Sequence, residues 1–159
     1  MNDMNAMLQP AVALMVWTMV MWAWMYATRI PAMQKANVDP DRLPRDPDAS
    51  LDRTLPARVQ WKAHNYNHLH EQPTVFYAVV VVLVLAGGDT GANAFLAWIY
   101  TGLRVVHSVI QVTANKVVVR FVLFALSSVV LIALVAKAAM IVFGSTSGLD
   151  GAVIAPVAV

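Results

Sequence analysis

Four apolar stretches, parted by one long and several short polar segments, set the pattern of this chain. Leu8 to Thr28, Ala92 to Val112 and Val117 to Phe143 each reach the roughly 20 residues that a helix needs to cross about 30 Å of hydrocarbon. The fourth, Thr74 to Ala86, is only about 13 residues long and cannot span alone. It must borrow its first two turns from the polar segment AHNYNHLHEQ that precedes it. The pattern therefore predicts an all-α integral membrane protein, a single four-helix domain over 1–159. Its helices fall at about 8–28, 62–86, 92–113 and 117–143, with a loop at 29–61 and a tail at 144–159.

Composition strengthens the membrane assignment. The chain has 159 residues, 59% hydrophobic and 13% charged, with a mean hydropathy of +0.62, too apolar for an ordinary soluble domain. The opening MNDMN carries no basic residue, and the apolar run behind it is longer than a signal core, so the first helix is expected to stay as an anchor. The absence of cysteine excludes disulfides and a thiol nucleophile from the protein itself. No repeat, phosphate-binding glycine loop or low-complexity segment is present, and nothing points to nucleic acid.

Charge placement orients the helices. The segment from Arg29 to Lys62 holds Arg29, Lys35, Arg42, Arg45, Arg53, Arg58 and Lys62 among five prolines, and reads as an irregular polar loop outside the bilayer. The second connection, AGGDTGAN, has no basic residue, whereas the third has Lys116 with Arg120 just beyond. Basic residues gather on the cytoplasmic side. Loops 1 and 3 are thus expected inside and both termini outside, in the periplasm if the membrane is a bacterial inner membrane.

This topology puts the start of helix 2, the end of helix 3 and the start of helix 4 in one leaflet. On a period of 3.6, His64, Asn67, His68 and Glu71 share a face of helix 2, while Asn65 and His70 point elsewhere. Arg104, His107 and Gln111 form a matching stripe on helix 3, and Arg120 lies about one turn inside helix 4. A carboxylate in a membrane helix is costly, so Glu71 is expected to face other helices or a wet cavity. One carboxylate against two guanidinium groups and several imidazoles makes a donor-rich site suited to an anionic ligand with carboxylates. Plainer readings stand beside this one. Arg104 and Glu71 could be an internal ion pair, Arg120, Lys116 and Lys137 could snorkel to the surface, and Trp17, Trp22, Trp24, Trp61 and Trp98 read as interface or lipid anchors.

Four helices, the element EQPTVF at residues 71–76, and RVVH at 104–107 followed by Arg120 resemble the MAPEG family, membrane-associated proteins in eicosanoid and glutathione metabolism. The resemblance covers roughly residues 8–143. It implies a left-handed four-helix bundle that forms a homotrimer, with glutathione bound between subunits in the cytoplasmic leaflet. Position by position, Glu71 is similar to the family's glutamate for the glutathione amino group. His107 resembles its helix 3 histidine, and Arg120 the arginine near the thiol, which gives it the catalytic role. His64, Asn67, His68, Arg104 and Gln111 complete the expected binding set. Two departures are visible: Asn67 and His68 stand where the family commonly has arginine and asparagine, and Gln111 stands where many conjugating members carry tyrosine.

The activity implied is glutathione-dependent transferase or peroxidase chemistry on a lipophilic electrophile or lipid hydroperoxide that arrives through the bilayer. Two other readings remain open on the residues. One is a non-catalytic MAPEG-like protein that binds a lipid or protein partner, favoured by His68 and Gln111. The other is a metal or haem protein that uses His64, His68, Glu71 and His107.

Overall fold

The computed structural model describes residues 3–43, 45 and 50–144, and among these every regular element is helical. The elements are α1 (Asp3–Lys35), α2 (Leu51–Thr54), α3 (Ala57–His68), α4 (Gln72–Leu85), α5 (Gly91–Thr113) and α6 (Val117–Gly144). Four segments are long and apolar enough to cross a membrane: Ala6–Lys35, Ala57–Leu85, Gly91–Thr113 and Val117–Gly144. The protein is thus a multi-pass, all-α membrane four-helix bundle. Beyond Gly144 the expected tail lies outside the described residues.

Buried side chains at helical spacing hold the bundle together. Met7, Leu14 and Met21 recur on one face of α1 and join Phe76 and Leu83 of α4, Ala97 and Tyr100 of α5, and Leu134 of α6 in one core. Phe76 stacks on Tyr100 with ring centroids 4.3 Å apart. Polar contacts fix the directions of the helices. Thr101 donates to the Pro10 carbonyl and Trp17 to Ser108, so equal steps along α1 and α5 run the same way. Asn65 meets Ser108 and His68 meets Arg104, so α3 runs opposite to α5.

Two expected boundaries change. The polar connection is not irregular over the whole of 29–61, because α1 continues to Lys35 and helix resumes in α2 and at Ala57. Pro31 removes one backbone bond of α1 but lies beyond the main apolar run. The helix stops where Asn37 takes a left-handed φ of 50° and Val38 N–H reaches back 3.0 Å to the Met33 carbonyl. Pro56 stands just ahead of Ala57, a place where its missing N–H breaks no helical bond.

The second change matters more for the site. The segment expected as one helix over 62–86 is two: α3 ends at His68, and α4 starts at Gln72. In an unbroken helix Pro73 would deny the Leu69 carbonyl its donor and press its ring against that carbonyl. The chain instead turns at 69–71, with Glu71 at φ −86° and ψ −97°, and restarts with Pro73 in the first turn. At the other end, Gly87 adopts φ 72° and Gly88 closes on Leu83 O. A Cβ at Gly88 would sit 2.8 Å from Ile141 Cδ1, so this turn is packed directly onto α6.

Candidate functional site

The break in α3–α4 brings the candidate residues together. His68 is the last residue of α3, and its ring is the hub of the site. Its Nδ1 lies 2.6 Å from Glu71 Oε2 across the turn. On its other side, Arg104 Nη2 donates to the His68 carbonyl at 3.0 Å, and Arg104 Nη1 is 3.5 Å from His68 Nε2. The His68 ring lies 5.1 Å from that of His107 and 5.5 Å from that of Phe124, centroid to centroid.

The two arginines have different surroundings. Arg104 is 0% exposed, and its guanidinium donates to the His68 carbonyl at the end of α3, which otherwise accepts, among the described residues, only a long 3.4 Å bond from the Glu71 N–H. It does not grip Glu71 directly, as an internal ion pair would require; His68 stands between them. Arg120 is half-buried, its Nη1 donating to Asn115 Oδ1 at 2.6 Å. With His68, His107, Val117, Phe121 and Phe124 it lines an open cleft of about 210 Å³. The cleft joins cationic and imidazole donors to an aromatic wall, suiting an anion attached to an apolar group.

The remaining candidates fall in different places. Glu71 is 66% exposed at its side chain, so within one subunit it is not sheltered by other helices. His107 is buried beside His68. Gln111 is buried one turn further along α5, and its Oε1 has no hydrogen-bond partner among the described residues. His64 is drawn to α2, with Nε2 2.9 Å from Asp52 Oδ1, and Asn67 is exposed on α3. His68 and Glu71 thus come together, while His64 and Asn67 do not join their cluster. Among the described residues no group of three or more His, Cys, Asp or Glu side chains is placed to hold a metal ion. The His68 and His107 rings, tilted at 45° and 5.1 Å apart, leave no gap for a porphyrin plane between them.

Several contributors escaped the reading of the sequence. Asn65, expected to point away from the polar face of helix 2, is 0% exposed and donates to Ser108 Oγ at 2.6 Å. Trp17, expected at a lipid boundary, donates inward to the same hydroxyl at 3.0 Å. Gln72 donates to Ser128 Oγ at 2.7 Å and accepts from Tyr100 OH at 3.4 Å, tying the first turn of α4 to α5 and α6. The available signal was polarity inside apolar helices: Ser108 and Ser128 interrupt otherwise hydrophobic runs, where an uncompensated hydroxyl is costly.

Neither the curated proteins nor the solved structures give a match to this chain. The family model described as the MAPEG family matches residues 7–140, from α1 almost to the end of α6, and so takes in the helix break, the His68 hub and the Arg120 cleft: the chain belongs to the MAPEG family.

Proposed function

We propose that the protein is a membrane-embedded glutathione transferase or peroxidase that acts on lipophilic electrophiles or lipid hydroperoxides. MAPEG proteins in general use glutathione, and the cleft between His68, His107 and Arg120 is the observation that carries the reading to this chain. The free carboxylate oxygen of Glu71 accepts from the ligand's ammonium, while His68 holds the other oxygen. Arg120 stabilises the ligand's sulfur as thiolate at the cleft wall, and His107 adds a second donor at the same wall. Phe121 and Phe124 keep water from the sulfur and offer an apolar approach to the second substrate. In transfer, a sulfur–carbon bond forms as the leaving group departs. With a hydroperoxide, the thiolate attacks the terminal oxygen, so that a sulfur–oxygen bond forms as the O–O bond breaks and the alkoxide leaves as the alcohol on taking a proton. A second glutathione thiol then displaces water from the sulfenic acid to give glutathione disulfide. Arg104 and Gln111 act behind this surface, the first by holding the helix break and the second by lining α5.

The assembly proposed is a homotrimer with sites between subunits. A cleft of about 210 Å³ is smaller than the roughly 300 Å³ at the low end of ligand pockets. Glu71, exposed in one subunit yet at a break inside a membrane-crossing segment, also needs a neighbour to keep it from lipid. The orientation proposed puts both termini in the periplasm of a bacterial inner membrane, with the connection around Ser50 in the cytoplasm. A cysteine at Ser50 then resists an impermeant thiol reagent in intact cells and reacts in inverted vesicles; the opposite pattern reverses the topology.

Calorimetry of glutathione on the purified protein tests the central reading. Saturable binding at or below the millimolar range supports it, and no heat of binding in that range removes glutathione from the account. A second reading rests on Gln111, whose buried amide provides no hydroxyl where a tyrosine would. If glutathione binds but no electrophile or hydroperoxide is turned over, the protein is a non-catalytic, ligand-binding member of its family.

A further inference from the structure

The turn between α5 and α6 carries a residue whose backbone and side chain do separate things. Asn115 has φ 48°, the left-handed region that few residues besides glycine, asparagine and aspartate enter readily. Its N–H, with that of Ala114, closes α5 onto the Ile110 carbonyl at 2.7 and 3.0 Å. Glycine would serve this backbone role equally well. The side chain does something glycine could not: Oδ1 accepts from Arg120 Nη1 at 2.6 Å. A guanidinium has only donors, so the amide must present its oxygen there.

This contact gives the Arg120 guanidinium a fixed place. An untethered arginine one turn into a membrane helix extends toward the headgroups. Arg120 takes that direction only as far as the turn, where Asn115 holds it at the cleft wall, with its Nε buried and unpartnered among the described residues. We infer that Asn115 is a positioning residue that holds the Arg120 guanidinium in the cleft, where it acts on the ligand's thiol; the inference rests on the glutathione reading above. Asparagine satisfies two demands at once, a left-handed backbone and a side-chain oxygen that accepts from the Arg120 guanidinium.

Two substitutions in the full-length protein separate these demands. Asn115→Gly keeps the turn and deletes the acceptor, whereas Asn115→Asp keeps both. Both are compared with the parent by thermal unfolding in detergent, by the ultraviolet thiolate band of bound glutathione, and by kcat and KM with a chromogenic aryl halide. Asn115→Gly is expected to unfold like the parent, to lose the thiolate band, and to lower kcat by roughly 10- to 100-fold, the scale of misplacing a reacting group by an ångström, with KM little changed. Asn115→Asp is expected to restore band and turnover. A parent that forms thiolate beside an Asn115→Gly variant of parental band and kcat overturns the inference alone. So does a glycine variant that unfolds early, because the side chain is then structural, and so does an aspartate variant without rescue. A parent that binds no glutathione removes the glutathione reading and this inference with it.

Discussion

Arg104 and Arg120 are sixteen residues apart in the sequence and both stand beside His68, yet they do different work. Arg104 is wholly buried; its Nη2 donates to the backbone at the end of α3, and its Nη1 faces the His68 ring. Arg120 is tied by one short bond to a neutral side chain and still faces an open cleft. A buried guanidinium that braces a main-chain carbonyl is part of the scaffold. One held by a single acceptor at a cleft wall keeps donors for a ligand. The membrane site therefore divides into a helix break that is locked from behind and a turn that offers its charge forward.

The largest effect on folding is expected at the locked end. Arg104→Leu leaves the His68 carbonyl only its long bond from the Glu71 N–H and loosens the turn that carries Glu71, costing roughly 1 to 3 kcal/mol. Thermal unfolding in detergent should fall, and glutathione affinity and turnover should fall with it. An Arg104→Leu protein with parental stability and only slow turnover would place this arginine with Arg120 and erase the comparison.

A smaller loss, about 1 to 2 kcal/mol, is expected for Ser108→Ala, because Trp17 and Asn65 both donate to the lost hydroxyl. This layer lies apart from the cleft lining, so kcat of the folded protein should stay near parental. A selective drop in kcat would extend the site into the bundle core. The least effect belongs to the His64–Asp52 pair, whose side chains are 51% and 64% exposed. Asp52→Asn should change stability by about 0.5 kcal/mol or less and leave glutathione affinity alone. A clear loss of affinity would return His64 to the site from which its contact with α2 separates it.

The same contrast marks what the sequence could reveal. The four membrane crossings were legible because apolar runs of spanning length have few other outcomes. That the second crossing draws on the polar segment before Thr74 was legible from length alone. The break at 69–71 was not extracted, although Pro73 carries its signal: a proline directly after a polar stretch either starts a helix or kinks one, and the periodic face His64–Asn67–His68–Glu71 assumed neither. The break takes only Glu71 off that face and folds its carboxylate back to the His68 ring, while His64, still on α3, joins Asp52 of α2. Arg104 was placed correctly on its helix, but its partner was a backbone carbonyl that exists only because of the break. Asn115 was hidden for a related reason. Its left-handed backbone and its acceptor role both belong to a turn whose geometry no periodicity describes.

The division of labour between binding and chemistry is tested most directly by glutathione affinity and kcat measured together on Arg120→Leu, Glu71→Gln and the parent. Arg120→Leu is expected to lower kcat by roughly 100-fold or more, the scale of removing one preorganised donor from a developing anion, with a modest loss of affinity. Glu71→Gln is expected to weaken binding by roughly 1 to 3 kcal/mol and to keep most of kcat at saturation. If both variants lose the same quantity, or if Glu71→Gln slows turnover while Arg120→Leu only weakens binding, the account is contradicted.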